Sequence, residues 1–292
     1  MRYEGIVYRP PSEARSYILQ VTIGCSHNAC TFCDMYKGKK FRVRPIQEVK
    51  EDIDMARKYY GPNIRRVFLA DGDALILKNS KLLEILSYLK KAFPRLERIG
   101  IYGNPRGILT KSVEELKELK DAGISIVYMG IETGDPELLQ KINKGVNVEE
   151  MIEAGKRVKE SGIALSVTII LGLGGPEMLE QNARGSAYVI NKIDPDYVGA
   201  LTLLLREGTP YYDQVMAGEI SVSTPYNIFQ ELRILIENLE LTNCVFRSNH
   251  ASNYFPIGGT LPQDKEKMLR TLDVILANED LKHMPPDFSR LL

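Results

Sequence analysis

The feature that most constrains this chain is a repeated switch between two hydrophobic periods. Short apolar runs rich in Val, Ile and Leu occupy residues 17–23, 66–70, 98–102, 126–131, 164–171 and 196–204. Amphipathic stretches of helical period lie between them, at residues 46–59, 80–91, 112–122, 148–161 and 177–193. The short runs read as strands and the longer periodic stretches as helices. The helix ends carry their own signals. Ser112 precedes Glu114 and Glu115, and Asn147 precedes Glu149 and Glu150, which puts a capping side chain and negative charge at the first turn. Ala122-Gly123 and Ser161-Gly162 stand where a glycine cap would end each helix before the next strand. Six strand–helix units in succession imply a parallel sheet with right-handed crossovers, so the fold class is α/β. The pattern alone does not separate a barrel from an open sheet. After about residue 205 the alternation stops. A helix near 226–238, a short run at 244–247, a loop through Gly259 and a helix near 264–278 remain. Neither repeats nor a low-complexity linker divide the chain, so one domain with a C-terminal extension is expected.

Composition narrows the function classes. Lys plus Arg equals Asp plus Glu at 38 each, so overall charge gives no argument for nucleic-acid or membrane binding. No apolar run is long enough to span a bilayer, and residues 1–16 hold charges and prolines instead of an apolar leader core. A cytoplasmic protein is expected. Of four cysteines, Cys25, Cys30 and Cys33 lie within nine residues, a spacing that in a cytosolic chain points to metal or catalysis.

The cysteine segment runs Gly24-Cys25-Ser26-His27-Asn28-Ala29-Cys30-Thr31-Phe32-Cys33-Asp34-Met35-Tyr36 and begins where the first strand ends. That end of a parallel sheet is where sites are built. Three thiolates on one loop can hold three irons of a cubane cluster and leave the fourth iron open to a substrate. A Cys3His zinc site using His27, or three structural thiols, are the other readings of the spacing. Cys244, alone and distant, reads as a small buried hydrophobe.

With Phe32 directly before the third cysteine, the segment resembles the radical S-adenosylmethionine (SAM) superfamily. Here the spacing is C-x4-C-x2-C, one residue longer than the family's common C-x3-C-x2-C. The resemblance continues at later strand ends. Ala70-Asp71-Gly72-Asp73 resembles the family's glycine-and-acid motif for the methionyl amine, although Asp and Gly are also ordinary turn residues. Gly130-Ile131-Glu132-Thr133-Gly134, with Asn143-Lys144-Gly145 downstream, resembles the signature of a subgroup. That subgroup contains oxygen-independent coproporphyrinogen oxidases, methylthiotransferases and the elongator tRNA-modifying subunit. Glu132, costly at an interior strand end unless paired, would contact the cofactor; a core glutamate satisfied by lysine is the alternative. Arg106, after Tyr102-Gly103-Asn104-Pro105, would pair with a carboxylate or stand exposed.

The resemblance covers residues 17–205. It implies a partial (β/α)6 TIM-type barrel over residues 1–205, with residues 206–292 as an extension packed on its mouth. It implies a 4Fe–4S cluster on Cys25, Cys30 and Cys33. It places SAM among Tyr36, Asp71, Gly72, Asp73, Asn104, Arg106, Glu132, Ser166, Ile169 and Leu171. The implied chemistry is reductive cleavage of SAM to methionine and a 5′-deoxyadenosyl radical, which takes hydrogen from a substrate. Arg247, Asn249, His250 and Asn253 are candidates to line the substrate cavity, set against a turn of self-bonding Asn and Ser. The basic run Lys37, Lys39, Lys40, Arg42 and Arg44 suits an acidic flavodoxin or ferredoxin, a solvated loop, or RNA phosphate. With no further RNA-binding, cobalamin or second-cluster domain evident, a small-molecule substrate is favoured over nucleic acid.

Overall fold

The computed structural model describes residues 2–278 and 280–285. Eight strands form a sheet whose order follows chain order throughout: β1 (Tyr17–Gln20), β2 (Arg66–Ala70), β3 (Arg98–Tyr102), β4 (Ile124–Glu132), β5 (Ala164–Leu171), β6 (Tyr197–Thr202), β7 (Cys244–Arg247) and β8 (Gly258–Leu261). Helices α1 (Ile46–Tyr60), α2 (Asn79–Ala92), α3 (Val113–Ala122), α4 (Val148–Glu160) and α5 (Leu179–Ile193) fill the crossovers; α6 (Pro225–Asn238) and α7 (Lys265–Leu276) follow. A doubly wound sheet reverses its strand order at a switch point. No reversal occurs here, which is the connectivity of a (β/α) barrel.

The chain divides into two compact units. Met1–Asn28, Met35–Met129 and Glu153–Leu165 form the first; Ala29–Asp34, Gly130–Ile152 and Ser166–Leu292 form the second. Within the first, β1–β2, β2–β3 and β3–β4 pair in parallel. Within the second, β5–β6 and β6–β7 are parallel and β7–β8 antiparallel. Residues beyond 205 therefore add β7 and β8 to the sheet. The last seven residues of the expected extension lie outside the described residues.

Local sequence explains the element ends. Ser112 and Glu115 form a reciprocal capping box on α3, and Asn147 and Glu150 exchange the same pair of bonds before α4. Gly123, at φ +121°, ends α3 by accepting a conformation that side chains resist. Along β5, Leu165, Val167, Ile169 and Leu171 are buried while the residues between are half-buried, the period-two signature of two unlike faces.

Three elements differ from the sequence expectation. The first run, read as one strand over 17–23, breaks after Gln20. Thr22–Ile23 instead pairs antiparallel with Arg42–Val43 and closes the loop that carries the cysteines. The segment through Gly259 is strand β8, not loop. Its glycines are required by packing: a Cβ at Gly259 would stand 2.5 Å from Asp264 Cβ, and one at Gly258 3.1 Å from Arg247 Cδ. Short helices also follow strand ends, at Pro105–Leu109, Pro136–Lys141 and Pro210–Met216.

Two buried ionic groups anchor the first unit. Glu13 is fully buried and accepts from Arg98 Nε (3.0 Å) and Nη2 (2.8 Å), Tyr128 Oη (2.6 Å) and Ser16 Oγ (2.5 Å). Burial, and then that bond to Glu13, push the Tyr128 phenol up to about 12. Arg44 Nη1 meets Asp52 Oδ2 at 2.7 Å, with both side chains 3% exposed.

Candidate functional site

In the first unit the sequence candidates converge through two buried aspartates. Asp71 Oδ2 accepts from Gln20 Nε2 (3.0 Å), Gly24 N (3.1 Å) and Lys39 Nζ (2.9 Å), while its own N–H donates to Thr22 Oγ1. Asp73 accepts from Ser26 Oγ (2.5 Å) and from Asn104 N (3.1 Å). Gly72 N closes on Gly24 O at 3.1 Å. Asp71 and Asp73 thus lace the turns after β1, β2 and β3 together. Both carboxyls are 0% exposed, so their side chains serve the loops, and Gly72 between them is the half-buried backbone position. Burial raises the Asp73 carboxyl to about 6, against the Ser26 and Asn104 bonds that lower it.

Tyr36 is buried with its ring against Gly72: a Cβ there would lie 2.6 Å from Tyr36 Cε2. Arg106, exposed at the start of the short helix after β3, approaches His27 Nδ1 at 3.4 Å. Cys25 follows this laced turn and is half-buried.

In the second unit, Cys30 and Cys33 share one turn, with Cys33 N donating to Cys30 O at 3.4 Å. Thr31 N donates to Ile142 O (2.9 Å) and Tyr211 N to Thr31 O (3.1 Å), while Asn143 Nδ2 holds Ala29 O (3.2 Å). None of the four cysteines forms a disulfide, and Cys244 is buried in β7.

Glu132, at φ +66°, ends β4 with its carboxylate on Lys144 Nζ at 2.8 Å; the side chains are 15% and 6% exposed. Its charge is thus balanced by lysine. Gly134, two residues on, crosses the backbone of Gly185 in α5. At β5, Leu171 O accepts Leu203 N and Ile170 O accepts Asn182 Nδ2, so both carbonyls already carry a protein donor. Ile169 is buried in register with Ala200. Ser166 pairs with the first residue of β6, five residues or about 16 Å before the end of β5.

The four substrate candidates separate. Arg247 and Asn249 border a cleft of about 290 Å³ with Gly258, Gly259 and Asp264. His250 Nδ1 instead bonds Ser252 N (3.1 Å) and Ser252 Oγ (2.9 Å), and burial lowers its pKa. Asn253 bridges β6, donating to Ala200 O and accepting from Thr202 Oγ1. These two make the self-bonded turn. The basic run is largely spent as well. Lys39 holds Asp71, Arg42 pairs with Glu4, and Arg44 is buried on Asp52. Exposed Lys37 and Lys40 are what remains for a partner.

Sequence reasoning missed Glu231 of α6. It is fully buried and accepts from Gly172 N (2.9 Å) and Asn182 Nδ2 (2.6 Å). Burial raises its carboxyl to about 8. A raised folded pKa means that the folded chain keeps a proton the unfolded chain has released. That contribution to stability is full below the ordinary carboxyl range and is lost as pH rises to about 8. Asp73 acts only below about 6, so between pH 6 and 8 the decline belongs to Glu231. Urea unfolding of the wild type should show stability falling there by up to about 1.4 kcal/mol per pH unit, and Glu231→Gln should flatten it. An equal slope in both proteins would contradict this assignment.

A family model described as the radical SAM superfamily matches residues 19–181, more than half of the chain. The chain belongs to the radical SAM superfamily. The matched stretch contains the three clustered cysteines and the turns after β1 to β5. Heme chaperone HemW of Bacillus subtilis is 22% identical to this radical SAM chain over 225 residues, which cover 74% of this chain and 58% of that protein. The crystal structure of methylornithine synthase (PylB) superposes with a TM-score of 0.55 at 17% identity, over 93% of this chain and 82% of that one. Coproporphyrinogen III oxidase (HemN) from Escherichia coli gives 0.56 at 18% identity, over 76% and 51%. It is of the subgroup that the Gly130-to-Gly134 motif resembles. Both structural likenesses are of fold. This radical SAM chain spans about half the length of the curated relatives it matches.

Proposed function

We propose that this chain is a radical SAM enzyme whose Cys25, Cys30 and Cys33 hold a 4Fe–4S cluster and whose strand-end turns bind SAM. The observation that carries the reading is the donor set. Cys25, Cys30 and Cys33, none of them in a disulfide, fall within nine residues of the loop after Thr22–Ile23, inside the stretch that matches the family. The residues present suit the group: soft thiolates for iron, and backbone-rich glycine turns for a nucleoside and an amino acid. When bound, the reduced cluster and SAM together supply a carbon-centred oxidant able to take hydrogen from an unreactive C–H bond.

The chain's own residues position and enclose. Asp71 and Asp73 fix the loop around Cys25, and Gly72 leaves its backbone open for an ammonium, with the Tyr36 ring as a wall. Asp71 Oδ2 is committed inside the loop while its Oδ1 is buried without a hydrogen-bond partner, so that oxygen and the backbone carbonyls of this turn are the acceptors for the amine. Glu132, already paired, presents a hydrogen-bonding edge without net charge. Arg106 is the cation available for a carboxylate. The cleft at Arg247 and Asn249 suits a small anionic or zwitterionic substrate. A reducing partner of flavodoxin or ferredoxin type, and a cytoplasmic setting, complete the reading. Among the described residues no helix is long and apolar enough to cross a membrane.

A second reading, an iron–sulfur protein without radical turnover, is compatible with a relative that is named a heme chaperone and not an enzyme. Anaerobic reconstitution with iron and sulfide tests what both share. About four irons per chain with a brown, sulfide-containing product are expected. A colourless protein that keeps zinc instead would overturn both readings.

A further inference from the structure

The strongest unexplained group is Glu231, a carboxyl in the interior of α6. Its two oxygens both face donors: Gly172 N–H, in the turn that follows β5, and the Asn182 amide of α5. The same Asn182 Nδ2 also reaches Ile170 O at 3.2 Å. The Asn182 oxygen in turn faces Ser186 Oγ at 3.4 Å, and Ser186 Oγ accepts Gly134 N–H at 3.1 Å, in the turn that follows β4. Asn182, Gly185 and Ser186 lie on one face of α5, at spacings of three and four residues. That face lets Gly134 cross at Gly185, where a side chain would not fit.

The donors all point one way along this chain of bonds. Gly134 N–H gives to Ser186, Ser186 to Asn182, and Asn182 to Glu231, which Gly172 meets from the other side. An acceptor with two free oxygens must close such a relay, and among neutral or charged side chains only a carboxylate offers that. A glutamine of the same shape turns an N–H2 toward Gly172 N–H or toward Asn182. The amide of Asn182 then has to flip, taking its donor from Ile170 O and its acceptor from Ser186.

We infer that Glu231 is a positioning residue for SAM, acting through Asn182 and Ser186 to hold the turns after β4 and β5 in register with each other. The inference rests on the proposed placement of SAM at those turns. It assigns a role to α5 and α6 in cofactor binding without contact to the cofactor. The titratable group beside Glu231 is Tyr211, whose hydroxyl donates to Leu173 O and whose own pKa burial raises. On the packed helices, Glu180 pairs with Arg184 within α5, and Asp273 of α7 pairs with Arg233 of α6.

The test uses the full reconstituted chain at pH 9. Amide hydrogen exchange, corrected for the intrinsic rate, is followed in peptides covering residues 132–136 and 170–175. SAM affinity is measured by equilibrium dialysis on the oxidised protein. Glu231→Gln should speed exchange about tenfold in both peptides and weaken SAM binding by a similar factor. The double variant Glu231→Gln with Asn182→Asp reverses the donor direction between the two side chains and keeps the charge, so the 132–136 peptide should recover most of its protection and 170–175, where Ile170 O still lacks its donor, only part. A core-filling role for Glu231 does not predict the rescue. Faster exchange at 170–175 alone would overturn the relay. Loosening of both turns with unchanged SAM affinity would overturn the role in cofactor binding. If the wild type binds no SAM, the functional reading fails separately, while the exchange data still decide the relay.

Discussion

Gly134→Ala is expected to destabilise the folded chain by at least about 3 kcal/mol, the top of the range for overpacking a filled site. A Cβ at this position would lie 2.1 Å from Gly185 O, 2.4 Å from Gly185 C and 2.8 Å from Ser186 N. All three atoms are helix backbone, so no side chain can rotate away. Either the turn after β4 lifts or α5 shifts, and the Gly134 N–H to Ser186 bond is lost in both cases. The reciprocal change, Gly185→Ala, meets its nearest atoms at 2.9 Å and gains helix propensity of about 1 kcal/mol, so its net cost should be clearly smaller. Urea unfolding of the three proteins checks the order. A Gly134→Ala protein as stable as wild type would show that the turn does not cross α5 as described.

Glu13→Ala should cost about 3–5 kcal/mol, the range for removing one partner of a buried ion pair. The loss leaves the Arg98 guanidinium, the Tyr128 hydroxyl and Ser16 without their shared acceptor. Arg98 is 28% exposed and recovers some hydration, which places the expectation toward the lower end. Glu13→Gln retains the shape and one acceptor and should cost less. A Tyr128→Phe change added to Glu13→Ala should be less damaging than the sum of the two, because both delete one network. Additive losses, or a Glu13→Ala protein within 1 kcal/mol of wild type by about the margin of surface changes, would contradict the network.

What could be read from the chain alone was local. Strands β2, β3 and β5 and the caps at Ser112 and Asn147 follow from periods and short-range signals, and the structure places them at those residues. Cys25, Cys30 and Cys33 stand out by spacing. What escaped depends on partners distant in sequence. Asp71 reads as a ligand contact, yet the structure gives it Gln20, Gly24 and Lys39. The run from Lys37 to Arg44 reads as a docking surface because its acids, Asp71, Glu4 and Asp52, lie elsewhere in the chain. Glu231 gave no signal, since one glutamate in an amphipathic helix looks like any other until Asn182 and Gly172 are beside it. Gly258 and Gly259 read as loop because glycine weakens a strand; Arg247 and Asp264 are the reason it is there. Glu132 shows the opposite case. The sequence permitted either a cofactor contact or a lysine partner, and the structure supplies Lys144.

The central claim is that the cysteine loop supports reductive cleavage of SAM. The most direct measurement is 5′-deoxyadenosine formed by the anaerobically reconstituted chain with dithionite and SAM, resolved by chromatography, alongside Cys25→Ala. The wild type should form 5′-deoxyadenosine and the variant none above background. A wild-type protein that binds iron, sulfide and SAM yet forms no more product than Cys25→Ala would contradict it and leave the non-turnover reading in its place.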